Sequence, residues 1–315
     1  PRQYSIFGSQ KENGAAKASG FNVRSTSARP ISSLTGRAML RVMSTANGTR
    51  VTVDGREVIS LASNNYLGLN THPRLVEAAS DAARRFGAGS GAVRTISGTM
   101  SLHEELEAAL AAFKHVEAVL TFQSGFTCNT GVIPVVAGEP DLIVSDQLNH
   151  ASIIDGMRLA KAPRVIYRHK DVAHLRELLA AARRDGRPDG QPYRAILVVT
   201  DGVFSMDGDI APLPGIVEAA EAFGAAVMVD DAHASGVLGR DGRGSVSHFG
   251  LEGRVAIQVG TLSKAVGVLG GYVAGSQALR DIDWTVINSE KPVIFVALRS
   301  PYLKYYLPGL PCVVL

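Results

Sequence analysis

From Val51 onward the chain alternates short apolar runs with stretches of helical period. Val51–Val53 and Glu57–Leu61 flank Asp54-Gly55, a hairpin signal, because both turn residues tolerate positive φ. Pro73–Phe86 spaces its apolar residues as an amphipathic helix does. Ser101–His115 does the same and opens with Ser101 and Glu104 at the spacing of a capping box. Beyond it, Ala118–Phe122, Leu142–Ser145, Arg164–Tyr167, Ala195–Thr200, Ala226–Val229, Ala256–Gly260 and Gly271–Ala274 read as strands. Helices are predicted among them over Gly125–Ala137, His150–Ala160, Val172–Arg183 and Pro214–Phe223. Continuous apolar strands separated by helices predict an α/β fold, a mostly parallel sheet with helices on both faces. Ligands of such sheets bind outside the carboxyl ends of the strands, so the residues that follow each strand are the candidates for chemistry.

Composition narrows the class without choosing a reaction. Apolar residues make up 46% of the 315-residue chain and charged residues 19%, which suits a large folded core. A net charge of +3 gives no case for nucleic acid as a partner and leaves anionic small molecules open. Cys128 and Cys312 form neither a disulfide framework nor a metal-ligand spacing, as expected of a cytoplasmic protein without a metal. No apolar run approaches the roughly 18 residues of a membrane span. Residues 1–50 hold eight Lys and Arg against one acidic residue, Glu12. They read as a flexible or atypical arm; a transit segment, which would direct the chain to the mitochondrial matrix, is the alternative.

Several strand ends carry groups that suggest a site. Asp230-Asp231-Ala232-His233 follows directly on Ala226–Val229. A carboxylate at the end of a buried strand is costly unless it meets a partner. A protonated ring nitrogen would serve Asp230, and so would a turn to cap or a structural arginine. Ala256–Gly260 leads into Thr261-Leu262-Ser263-Lys264 and the glycine-rich Gly267–Gly271. Near a buried strand end a lysine loses hydration, which lowers its pKa and makes it nucleophilic, whereas a lone lysine is ordinarily a solvated charge. Ser124-Gly125-Phe126 lies between a strand and a helix, where unpaired N–H groups favour a phosphate or an ordinary turn makes the connection. His150 stacks on a flat cofactor or caps its helix. Ser205 donates to a phenolic oxygen or shapes its turn. Gly87-Ala88-Gly89-Ser90-Gly91 follows a helix, a context that excludes a dinucleotide loop. A close-approach loop at a substrate mouth is expected there, with Arg94 available to an anion.

Together these segments resemble the α-oxoamine synthases, pyridoxal-phosphate enzymes of the type I aminotransferase fold. The resemblance rests on Ser63–Gly68, Gly89–Thr99, Ser124–Phe126, Asn149–Ser152, Asp201–Asp209, Asp230–Gly236 and Gly260–Lys264, in the family's order and spacing between Val51 and Asp281. It implies pyridoxal 5'-phosphate as cofactor, held by Lys264 as a Schiff base, with Asp230 on the ring nitrogen and His150 stacked on the ring. Ser205 and His233 would bond the phenolic oxygen. Thr261 and the backbone of Gly125 and Phe126 would hold the phosphate. Asn65 and Tyr66 would lie at the substrate mouth. The implied reaction is acyl transfer from an acyl-CoA to an amino acid through an external aldimine, in a homodimer. Val93–Met100, Gln147–Arg158 and Val255–Gly275 look most like glycine C-acetyltransferase, hence glycine and acetyl-CoA. The alternative is 8-amino-7-oxononanoate synthase, which takes alanine and a pimeloyl thioester.

The resemblance fades after Asp281. The family's small C-terminal domain, with its arginine for the substrate carboxylate, has no counterpart, and a cofactor-binding chain without turnover is a further alternative. Lys291–Ala297 echoes a family segment whose hydroxyls approach the partner subunit's phosphate, but Val296 and Ala297 stand in their place. Residues 51–285 are therefore read as the large cofactor-binding unit and 286–315 as an aberrant or truncated tail. Cys312–Leu315 fits a prenylation box by chance.

Overall fold

The computed structural model describes residues 40–288, together with the pairing of Tyr4–Ser5 with Arg24–Ser25. Most of the arm, Val296, Ala297 and the terminal Cys312–Leu315 lie outside the described residues.

The expected hairpin forms from β1 (Arg50–Val53) and β2 (Arg56–Ile59). Asp54 and Gly55 turn it at φ of 51° and 76°, the positive values that make this dipeptide a hairpin signal. The main sheet has seven strands: β3 (Ala118–Phe122), β4 (Leu142–Asp146), β5 (Arg164–Tyr167), β6 (Ile196–Asp201), β7 (Ala226–Asp230), β8 (Ile257–Thr261) and β9 (Gly271–Gly275). Their order is β3-β9-β8-β7-β6-β4-β5, parallel throughout except that β9 runs against both β8 and β3.

Alternation along the central strands builds two cores at once. On β6, Ile196 and Val198 face one side, where Leu175 and Leu179 of α5 (Val172–Asp185) meet Leu213, Ile216 and Val217 of α6 (Leu213–Ala222). Leu197 and Val199 face the other, against Cys128, Val132 and Ile133 of α3 (Gly125–Val136) and Ile153 and Met157 of α4 (Ala151–Leu159). Successive side chains of a strand point to opposite faces, so a continuous apolar run is what a sheet covered on both sides requires.

Three expectations change. The central strands end one residue later than predicted, so Asp201, Asp230 and Thr261 are the last residues of β6, β7 and β8. Backbone pairing carries them there: Asp201 sits opposite Asp230, and Thr261 opposite Gly271. The capping box at Ser101 does not form. Met100 is the cap of α2 (Ser101–Lys114), and its N–H donates to His103 Nδ1 at 3.0 Å. Finally, α1 (Pro73–Phe86) forms as predicted but buries none of its residues within the described chain. Among the described residues, α7 (Ser245–His248) and α8 (Gln277–Asn288), which runs past residue 285, are helices that carried no sequence expectation.

Candidate active site

The carboxyl ends of β6, β7 and β8 bring the predicted groups together. Asp230 is 4% exposed. Its Oδ1 accepts from Ala232 N–H at 2.9 Å, and its Oδ2 accepts from Asn129 Nδ2 at 2.6 Å. Burial pushes its pKa up, while these two hydrogen bonds, then Lys264 and His150, pull it back. Asp201, its neighbour across the ladder, is driven well up by burial and then by the charge of Asp230. It accepts one hydrogen bond, from His150 N–H at 2.8 Å, while Asp230 accepts two. Asp230 is thus the better-supported anion of the pair.

Lys264 follows β8 and is partly buried. Loss of hydration lowers its pKa, against the pull of Asp230 and Asp201. This is the environment expected of a nucleophilic amine. Asn65 lies over the loop that follows: a Cβ on Gly267 (φ 77°) would sit 2.8 Å from Asn70 N and 3.0 Å from Asn65 Oδ1. Asn65 Nδ2 bonds Asn70 Oδ1 at 2.6 Å and Asn47 O at 3.1 Å. Tyr66, half exposed, places its hydroxyl 2.6 Å from His233 Nδ1. Burial, then Lys264 and His150, push His233 down to about 4, so its ring is neutral at neutral pH.

The strand-to-helix connection at Ser124 is a capping box. Ser124 Oγ accepts from Thr127 N–H at 3.1 Å, and Thr127 Oγ1 accepts from Ser124 N–H at 3.0 Å. The N–H groups of Gly125 and Phe126, at the first two positions of α3, have no carbonyl within the helix to bond. Gly125 packs on Thr261, where an added Cβ would lie 3.2 Å from the threonine Cβ. The two predicted phosphate contacts are therefore neighbours. Thr261 Oγ1, however, donates to Gly270 O at 3.0 Å and lies 2.8 Å from Ser263 Oγ. Ser263, quoted in the sequence beside Thr261 but given no role by the resemblance, is the exposed hydroxyl at this corner.

His150 caps α4 and is exposed, and its Nδ1 lies 2.7 Å from Ser152 Oγ. Ser205 is exposed on a turn, with no hydrogen bond to His233 among the described residues. Its turn is braced by Asp209, which pairs with Lys170 Nζ at 2.8 Å and His169 Nε2 at 3.1 Å.

Arg94 departs from its expected place. Its guanidinium pairs with the buried carboxylate of Glu107 and donates to Thr121 Oγ1 at 3.1 Å. Burial alone would raise the Glu107 carboxyl, but hydrogen bonds from Arg94 and Thr121 outweigh it and hold the carboxyl below its usual range. Arg94 thus answers a buried charge on α2 and does not stand ready for a substrate anion. The glycine loop before it is open as well: Cβ atoms on Gly87, Gly89 and Gly91 would meet nothing within 4 Å.

Residues 56–295 match the family model for aminotransferase class I and II. The chain belongs to the class I and II aminotransferases. Within that family, 8-amino-7-oxononanoate synthase of Symbiobacterium thermophilum is 59% identical over 262 residues, 83% of this chain and 64% of that protein. 8-Amino-7-oxononanoate synthase 1 of Bacillus velezensis is 61% identical with the same coverage. A serine palmitoyltransferase of S. paucimobilis, solved with a bound pyridoxal phosphate–myriocin adduct, superposes with a TM-score of 0.72 at 36% identity, covering 77% of this chain and 60% of that one. The chain thus spans 64% of the length of the curated relatives it matches. The fold is the α/β type I fold of the pyridoxal-phosphate transferases, as the α-oxoamine synthase resemblance implied. These relatives do not carry the name glycine C-acetyltransferase; the curated pair carry that of the alternative. No described helix of this aminotransferase-family chain is long and apolar enough to cross a membrane.

Proposed function

We propose that residues 51–285 form a pyridoxal-phosphate site and that the chain is an acyltransferase of the 8-amino-7-oxononanoate synthase kind, joining alanine to a pimeloyl thioester in a homodimer. The observation that carries the cofactor reading is Lys264, partly buried and poorly hydrated, within the electrostatic reach of the buried carboxylates of Asp230 and Asp201. The choice of substrates rests on relatives of that name at 59% and 61% identity, and it replaces glycine with acetyl-CoA.

The residues present fit the cofactor. The buried Asp230 needs a cationic partner, a helix N-terminus lies against Thr261, and Lys264, three residues beyond Thr261, carries an amine of lowered pKa that feels the charge of Asp230. When bound, pyridoxal phosphate supplies an electron sink for charge developing on the amino-acid α-carbon. Lys264 would attach the cofactor, release it to the incoming amino acid, and take the α-proton on Nζ. Loss of hydration makes the required neutral amine easier to form. Asp230 would hold the proton on the ring nitrogen, and its two hydrogen bonds favour the anion needed for that. Gly125 N–H, Phe126 N–H and the hydroxyls of Thr261 and Ser263 would bind the phosphate. His150 would cover one ring face. His233, neutral and linked to Tyr66, would orient the phenolic oxygen together with Ser205, beside Asn65 at the substrate mouth.

The test is to load the purified chain with pyridoxal phosphate and follow its visible absorption. We expect a band that Lys264→Ala removes, and a larger spectral change with alanine than with glycine or serine. Thiol release should then be faster with alanine and pimeloyl-CoA than with glycine and acetyl-CoA. A band that survives Lys264→Ala would overturn the cofactor reading. A preference for glycine and acetyl-CoA would overturn the substrate assignment alone.

A further inference from the structure

We propose that Asn129 is a positioning residue that ties the Asp230 carboxylate to the His150 imidazole, so that the group beneath the cofactor's ring nitrogen and the group on its face are held by one amide. The proposal rests on the cofactor reading above.

Asn129 lies on α3, one turn beyond Gly125 and on the same face of the helix. It is 0% exposed. Its Nδ2 donates to Asp230 Oδ2 at 2.6 Å and to Ser152 Oγ at 2.9 Å, which uses both amide hydrogens. Ser152 N–H donates to His150 Nδ1 at 3.2 Å, so that ring nitrogen is an acceptor. Ser152 Oγ, already accepting from Asn129, lies 2.7 Å from the same Nδ1 and directs its hydroxyl proton there. The chain of donors runs one way, from Asn129 through Ser152 to His150, and it fixes His150 as the Nε2–H tautomer. Aspartate would lose both donors, and serine or threonine could supply only one.

A purely space-filling role does not explain this residue. Asn129 Oδ1 is buried with no hydrogen-bond partner among the described residues, a cost that an apolar side chain of the same shape would avoid. Helix α4 also approaches closely at this point: a Cβ on Gly156 would sit 2.6 Å from Asn129 O. One helix therefore carries the proposed phosphate donors in its first turn and the brace for ring nitrogen and ring face in its second.

The test compares Asn129→Leu, close in shape but without donors, with Ser152→Ala, which removes the hydroxyl link to His150 and leaves the backbone N–H on Nδ1. In the apo chain, ¹⁵N NMR of the His150 ring reports the tautomer. We expect a single Nε2–H form in the parent and shifted His150 ring nitrogen signals in both variants, as Nδ1 loses the aligned hydroxyl donor and keeps only the backbone N–H; unchanged ring shifts in Ser152→Ala would overturn the proposal, whether or not cofactor binds. With pyridoxal phosphate, Asn129→Leu should weaken binding at least tenfold and move the pH midpoint of the visible band. Its apo unfolding midpoint should fall, because the buried Asp230 Oδ2 and Ser152 Oγ lose their donor. A lowered apo midpoint with an unmoved band would mean the asparagine is merely structural. Absence of a Lys264-dependent band in the parent would count against the cofactor reading, and the ring-tautomer result would still decide the brace.

Discussion

Lys114 and Lys264 each stand beside one of two consecutive aspartates, and the two pairs are built for opposite ends. The side chain of Lys114, the last residue of α2, is 0% exposed, and its Nζ lies 3.1 Å from Asp231 Oδ2. Asp231 also accepts from Ser245 N–H at 3.1 Å and from the Ser245 hydroxyl. Glycines 202 and 244 leave room for it, since a Cβ on either would overlap a carboxylate oxygen. Every polar group of that pair is answered, and it ties α2 to α7. Lys264 has no carboxylate within 4 Å among the described residues, although Asp230 and Asp201 lie close enough to raise its pKa. One lysine is neutralised and closed in. The other is poorly hydrated and incompletely paired, as reactive groups are and structural groups are not. Asp230 and Asp231 part because successive residues leaving a strand point to opposite faces.

The largest test of this contrast is Lys114→Met. It strands the Asp231 charge in the core, and we expect a loss of about 3–5 kcal/mol in unfolding free energy. Urea unfolding measures it. Adding Asp231→Asn should restore at least half of the loss, because the amide oxygen still accepts from Ser245 without a charge to bury. A loss below about 1 kcal/mol in the single variant would show that the pair does not hold α2 in place.

Much of the contrast could be read from the sequence, and its limits are physical. The strands were legible because both faces of the sheet are covered, which leaves unbroken apolar runs. Their last residues were not, because Asp201, Asp230 and Thr261 are polar yet continue the backbone ladder. Lys264 and Asp230 stood out as charges at strand ends. Lys114 did not: a lysine in the last turn of an amphipathic helix reads as a solvated partner of the helix dipole, and its carboxylate lies 117 residues away. Arg94 was misread for the same reason, since Glu107 comes from the next helix. Asn129 gave no signal, because nothing along the chain marks a mid-helix asparagine whose partners lie on β7 and α4.

A smaller effect sharpens the electrostatics of the Lys264 side. His233 is held near 4 by burial first and by the charges of Lys264 and His150 next, whereas an unfolded histidine titrates near ~6.5. Between these values the unfolded chain binds more protons, so stability rises with pH across the window. The contribution is complete above about 6.5 and is lost as the pH falls toward 4. Fully buried, the difference would be worth about 3 kcal/mol; for a partly buried ring, about 1–2 kcal/mol is expected. Unfolding curves from pH 4 to 7 should be flatter in His233→Gln than in the parent. Equal slopes would place the acid sensitivity elsewhere, in the buried carboxylates.

The smallest expected change in stability belongs to the residue with the largest proposed role. Lys264→Ala removes a cation that the fold hydrates poorly and pairs incompletely. The folded-state pKa of this amine is lowered, so at neutral pH the unfolded chain is favoured by its freedom to protonate there without penalty. The alanine variant should be more stable than the parent by roughly 0.5–1 kcal/mol near neutrality, and the gain should vanish as the pH rises toward about 10.4. Part of the gain is offset, because Asp230 and Asp201 lose a nearby positive charge that helps keep them ionised. Apo unfolding at pH 7 and pH 10 measures both values and the sign of the difference. If Lys264→Ala instead cost as much as Lys114→Met, the two lysines would be doing the same structural work, and the distinction between a closed pair and a poised amine would fail.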